Sequence, residues 1–121
     1  ADMVLSYTTS PAYHLIAEED DSKTAALFDE GHYMQIEVAG KLAGSDQPEL
    51  ADQFVQYLVS DVAQSVLPTT NWMYPAVTPE GGLPEGFEGM IQPGKALLVP
   101  NGDVPALREE ALDEWLTALS R

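Results

Sequence analysis

Two stretches of the chain collect the side chains best suited to hold a small molecule. In the first, Tyr7, Thr8, Thr9, Ser10 and Tyr13 crowd a turn that closes with Pro11. Three hydroxyls beside the free N–H groups of a helix start make a natural cradle for oxygen or phosphate. Tyr13 falls one turn into that helix, where its ring can reach the same point. The other reading of these residues is an ordinary helix cap with Tyr13 packed in the core. In the second stretch, Asn71 and Trp72 lead into Met73-Tyr74-Pro75. Tryptophan offers the best face for a cation, and the Asn71 amide both donates and accepts. Here the competing reading is loop aromatics that plug the core. Apolar walls with a few polar groups are the usual make-up of a ligand site.

Elsewhere the residues do not assemble reactive chemistry. His14 and His32 stand far apart and share no short metal-binding spacing, whereas a catalytic metal needs about three convergent ligands. Ser10 lies in Thr-Ser-Pro, not in the Gly-x-Ser-x-Gly elbow that exposes a hydrolase nucleophile. Gly81-Gly82 matches neither a phosphate loop nor a dinucleotide fingerprint. The acidic run Glu18-Glu19-Asp20-Asp21 lacks the spaced ligands and central glycine of a calcium loop. It reads as a solvated face. No enzyme, cofactor or metal is indicated.

The elements that must position the two stretches follow from periodicity. Residues 3–7 form a short apolar run, read as a buried strand that feeds the first stretch. Pro11 suits the first turn of a helix over 11–17, where its missing N–H is not needed. Over 32–38, Met34, Ile36 and Val38 alternate with Tyr33, Gln35 and Glu37, the pattern of a half-buried strand. Asp46 and Glu49 have the spacing of a reciprocal helix cap, and Leu50, Phe54, Tyr57 and Leu58 follow at helical spacing. Ser60-Asp61 restarts a second helix, stopped by Pro68 just before Asn71. Residues 78–102 are rich in Pro and Gly and promise few elements. Asp103 and Pro105 open a last helix with Leu107, Ala111, Leu112, Trp115, Leu116 and Leu119 on one stripe.

Composition sets the outer limits. The chain has 121 residues, 45% of them hydrophobic, enough for one compact domain. Five basic against twenty acidic residues give a net charge of −15. That field repels a phosphate backbone, so nucleic acid is not the partner. It attracts a cationic ligand, although solubility or a saline habitat is the favoured explanation, since most of the acids read as surface residues. There is no cysteine, which excludes disulfides and thiolate metal sites. No apolar run approaches the ~20 residues of a membrane span, and no signal-peptide pattern is present. The chain enters at once into Met3-Val4-Leu5, and two strands make a poor independent sheet. The sequence therefore predicts an α/β chain that is part of a larger fold.

Four segments carry a family resemblance: ADMVLSYTTSPAYH, EGHYMQIEVAG, QPELADQFVQYLVS and LPTTNWMYP. Together they resemble the C-terminal part of the periplasmic thiamine-binding proteins of bacterial ABC transporters. The resemblance runs from the first residue to about residue 75, weakens over 78–102 and returns over 115–121. It implies part of a two-lobed type II periplasmic-binding fold, residues 1–121 supplying one ligand-binding lobe, with a crossing strand near 32–43 and C-terminal helices. It implies a non-enzymatic function: binding thiamine or its phosphate esters and delivering them to a membrane permease. By the same resemblance Tyr7, Thr8, Thr9 and Ser10 touch the ligand, Tyr13 stacks on its aromatic ring, and Asn71 and Trp72 line the other side. Thiamine is flat and permanently cationic, and a desolvated cation–π contact contributes roughly 2 kcal/mol. The alternatives are the same fold with another small cation, a sugar phosphate or an iron complex, or a thiaminase-like enzyme lacking its nucleophile here. The family's chain is more than twice as long, so the other wall of the cleft is expected from elsewhere. Exposed strand edges then allow a dimer or a domain swap of this piece.

Overall fold

The computed structural model describes residues 2–120, so Ala1 and Arg121, at the ends of the expected lobe, lie outside the described residues. The chain is mixed helix and sheet. In order it forms α1 (Ser10–Ala17), β1 (His32–Tyr33), α2 (Pro48–Leu58), α3 (Asp61–Thr70), β2 (Ala96–Leu97) and α4 (Val104–Leu119).

The helices start where their sequences say they can, with some changes of cap. Pro11 sits in the first turn of α1 as expected. Ser60 caps α3, its hydroxyl accepting from the Ala63 amide at 3.4 Å, the usual way of satisfying an orphan helix donor. The Asp46–Glu49 cap does not form. Gln47 is the N-cap of α2 and its side chain makes no capping bond, while the Ser45 hydroxyl accepts from the Gln47 amide at 3.2 Å and fixes the turn before it. Asp103 is the N-cap of α4 by position, but its side chain makes no capping bond. Pro68 does not stop α3. It lies inside the helix and is fully buried. A proline there forgoes the helical bond of its own N–H, while its ring is buried in the core.

The strand content is smaller than expected. β1 and β2 run parallel, His32 opposite Ala96 and Tyr33 opposite Leu97. The pair is closed by His32 N–H to the Lys95 carbonyl (3.0 Å) and Met34 N–H to the Leu97 carbonyl (2.9 Å). β2 lies in the Pro- and Gly-rich stretch where no strand was foreseen. Residues 3–7, expected as a strand, belong to none, and Leu5 is 89% exposed. Residues 34–38 likewise lack a ladder beyond Met34, and Val38 is 89% exposed. Alternation marks which face wants burial, but a strand also needs a neighbour for its N–H and C=O groups. Among the described residues those neighbours are missing.

The core is correspondingly small and gathers around Phe87 and Pro68, with Ala12 and Ala63 beside them in burial. Tyr74 meets Phe87 edge-on, ring centres 5.7 Å apart. Gly86 has φ +100°, and a Cβ there would meet Ile16 and Leu15 at 3.1–3.3 Å. That close approach docks the loop before Phe87 onto α1. Gln64 is buried and uses both ends of its amide: it donates to the Leu58 carbonyl and accepts from the Val77 amide at 3.1 Å. It thereby ties the end of α2 to the chain beyond α3. The stripe on α4 is present in sequence but not packed, since no residue of α4 is buried and Trp115 is 50% exposed.

Gly31 gives the test of the strand pair. Its φ is +113°, and a Cβ would lie 2.9 Å from the Lys95 carbonyl and 3.1 Å from Leu97. Gly31→Ala is expected to cost at least about 1 kcal/mol and to strip hydrogen-exchange protection from the His32 and Met34 amides. Unchanged protection would show that the pairing does not depend on this approach.

Candidate functional site

The two stretches singled out in the sequence meet. α1 presents Tyr13 from its second turn, and the turn after α3 presents Trp72. Their rings stand edge-to-face, centres 5.1 Å apart at 78°, a favoured aromatic geometry. One hydrogen bond ties the start of α1 to the Trp72 backbone: the Thr9 hydroxyl donates to the Trp72 carbonyl at 2.6 Å across 63 residues of sequence. Thr9 is only 5% exposed. Trp72 has φ +54°, a region that a bulky side chain rarely enters and that costs of order 1 kcal/mol or more. The Thr9 bond therefore holds a strained turn closed and sets where the indole stands.

A second string of contacts joins the outer parts of the site. The Tyr7 hydroxyl donates to Gln35 Oε1 at 2.8 Å. Gln35 Nε2 donates to Glu37 Oε1 at 3.3 Å, and Asn71 Nδ2 donates to Glu37 Oε2 at 3.4 Å. Tyr7 and Asn71 are thus bridged by two residues that had not been singled out. The signal for them was present: Gln35 and Glu37 occupy the polar side of the alternation over 32–38. Ser10 is used locally, its hydroxyl meeting Ser6 Oγ at 2.6 Å and accepting from the Tyr7 amide at 3.2 Å. The amides of Ser10 and Ala12 also bond within the turn, to the carbonyls of Tyr7 and Thr9. Fewer free N–H groups are left for an anion than the sequence promised. Thr8 faces elsewhere and lines a cavity of about 220 Å³ with Asp20, Lys23 and Met90.

Tyr13 is also held from the other side. His14 Nδ1 and Glu18 Oε2 lie 2.7 Å apart one helical turn along α1, and the His14 ring packs edge-on to Tyr13 at 5.2 Å. Hydrogen bonding to Glu18, helped by its charge, pushes the Tyr13 phenol above its ordinary value. Glu18 in turn is held below its ordinary value by hydrogen bonds from His14 and then Tyr13. Asp20 lies beside them, its ligand atom within 4.8 Å of theirs. Its carboxyl is held far below the usual range by the hydroxyl and amide of Ser22, then by Lys23. With these partners engaged, the group serves α1 as a buttress.

Asn71 and Glu37 line a larger cavity of about 600 Å³ between residues 34–39 and the α2–α3 pair. Tyr13 and Trp72 line neither cavity. They stand on an open face, Tyr13 exposed and Trp72 half-buried.

No family model matches the chain. Along its whole length it is 49% identical to the thiamine-binding periplasmic protein of Escherichia coli and 41% identical to that of Brucella abortus. It is 35% identical to the protein of that name from Haemophilus influenzae over 97% of the chain. A solved periplasmic thiamin binding protein superposes with a TM-score of 0.83 at 49% identity over 98% of the chain. The chain spans 36% of the length of the Escherichia coli and Brucella relatives and of that structure.

Two outcomes check the geometry. Thr9→Val leaves the Trp72 carbonyl unsatisfied, at about 1–3 kcal/mol. In a Trp115→Phe background it is expected to shift Trp72 emission to the red, while Thr9→Ser keeps the native spectrum. Identical spectra for all three would show that the bond does not position the ring. Glu18→Gln is expected to lower the Tyr13 phenol pKa toward 10.0, read from its ring-carbon chemical shift. The Glu18 contribution to stability is present above 4.5 and fades as pH falls through its lowered folded value.

Proposed function

We propose that the chain is the C-terminal, ligand-contacting part of a thiamine-binding periplasmic protein, the solute-binding component of an ABC importer. Thiamine or its phosphate esters would lie against Tyr13 and Trp72, with Tyr7, Ser10 and Asn71 as polar neighbours; Thr9 acts by holding the indole, and Thr8 faces away. The observation that carries this reading is the contact between Tyr13 and Trp72, tied by Thr9, in a chain 49% identical throughout to a thiamine-binding protein. Two aromatic edges at right angles offer one flat face each to a two-ring ligand, and the acidic chain favours a cation. Binding needs no reaction. The relatives bear the names of binding proteins rather than enzymes.

The open face fits a two-lobed, type II arrangement in which a second lobe closes over the ligand. The uncovered apolar side chains have the same explanation: Leu5, Ile36, Val38 and the α4 stripe await surface that the rest of a longer protein supplies. In the 121-residue chain alone, such surface favours pairing between copies. A membrane permease is the partner to which a periplasmic carrier hands its ligand.

Calorimetric titration of thiamine into the intact protein tests the reading. Trp72→Ala or Tyr13→Ala is expected to weaken binding roughly 30-fold. Normal affinity in both variants would remove these residues from the site, and absence of thiamine binding by the wild type would remove the function.

A further inference from the structure

We propose that Glu37, on the cavity between residues 34–39 and the α2–α3 pair, is the counter-charge that selects a cationic ligand at the adjoining Tyr13–Trp72 face. This rests on the thiamine reading and extends it to a residue outside the two aromatic stretches. The cavity is about 600 Å³, within the range of small-molecule sites. Met34, Ile36, Leu58, Leu67 and Met73 contribute apolar walls. Glu37 lines it together with Asn71, the residue that precedes the strained Trp72.

The environment of the carboxylate sets the argument. Each oxygen receives one neutral amide donor, from Gln35 at 3.3 Å and from Asn71 at 3.4 Å. Both contacts are long for a charge-assisted bond. Among the described residues no Lys, Arg or His forms an ion pair with Glu37; the three pairs present involve Glu18, Asp20 and Asp52. Glu37 is exposed, and its carboxylate is oriented by two amides but paired with no cationic side chain among the described residues. Gln35 and Asn71 are in turn tied to Tyr7 and the Trp72 turn, so the charge is fixed relative to the aromatic pair. A fixed carboxylate beside apolar walls attracts an organic cation and gives a neutral molecule of the same shape no advantage.

The test compares thiamine with its neutral isostere, in which carbon replaces the charged thiazolium nitrogen, in titrations of the intact protein. Glu37→Gln removes the charge and keeps the shape and one acceptor. It is expected to weaken thiamine by roughly threefold to tenfold and to leave the isostere unchanged. Glu109→Gln removes the same charge from exposed α4 and is expected to change neither, separating a local effect from the −15 net charge. Equal loss for both ligands, no loss for thiamine, or the same loss in Glu109→Gln overturns the proposal. Failure of the wild type to bind thiamine overturns the thiamine reading instead. N-methylthiazolium alone then decides Glu37: binding weakened by Glu37→Gln sustains it, and no binding or binding indifferent to the variant overturns it.

Discussion

The hydrogen bond from Thr9 to the Trp72 carbonyl is the constraint on which the candidate site depends. It joins the start of α1 to the end of α3 across most of a small core. Thr9 is buried and the bond part-buried, so water replaces it poorly. It also supports a backbone conformation that tryptophan does not adopt readily. A turn of this kind persists only when its surroundings determine it. Here they do so on both sides: Thr9 holds the carbonyl, and Tyr13 meets the ring. Thr9 was singled out as a hydroxyl for a ligand, yet that hydroxyl is already bonded to the protein. Its effect on a ligand is through the indole.

Much of the helical fold was legible in the sequence because the signals are local. Pro11 in a first turn, Ser60 as a cap and the spacing of Leu50, Phe54 and Leu58 each depend on a few neighbouring residues. What depended on distant partners was less legible. Residues 3–7 carry an apolar run and residues 34–38 the right alternation, but a strand exists only with another strand beside it. The β2 pairing was hidden for the same reason, since Lys95, Ala96 and Leu97 follow a run of Pro and Gly and are defined by His32 and Met34. Pro68 read as a stop because proline breaks helices. It sits inside α3 instead, without its own N–H bond and with its ring buried in the core.

The site was legible in its aromatic members and less so in its polar ones. Tyr13 and Trp72 were named separately, and the structure places their rings in contact. Their joint position was not readable from spacing, since it follows from long-range contacts, the Thr9 bond to the Trp72 carbonyl and the meeting of the rings. Gln35 and Glu37 were visible only as the polar half of an alternating run. Their bonds to Tyr7 and Asn71 give that half its place beside the site. The expected cradle of free amides is smaller than it looked, because the turn before α1 uses its own donors.

The parallel pairing of β1 with β2 carries a kinetic consequence. Parallel neighbours cannot be joined by a tight hairpin, and here the connection contains both α2 and α3. Closing so long a loop costs chain entropy before the few strand bonds return anything. The two sequence-adjacent helices, stapled by Gln64, form from local contacts and are the faster unit. Trp72 belongs to that unit, whereas Thr9 and Tyr13 lie upstream of the loop. The Tyr13–Trp72 contact is thus expected late in folding, once the start of α1 docks on the helix pair.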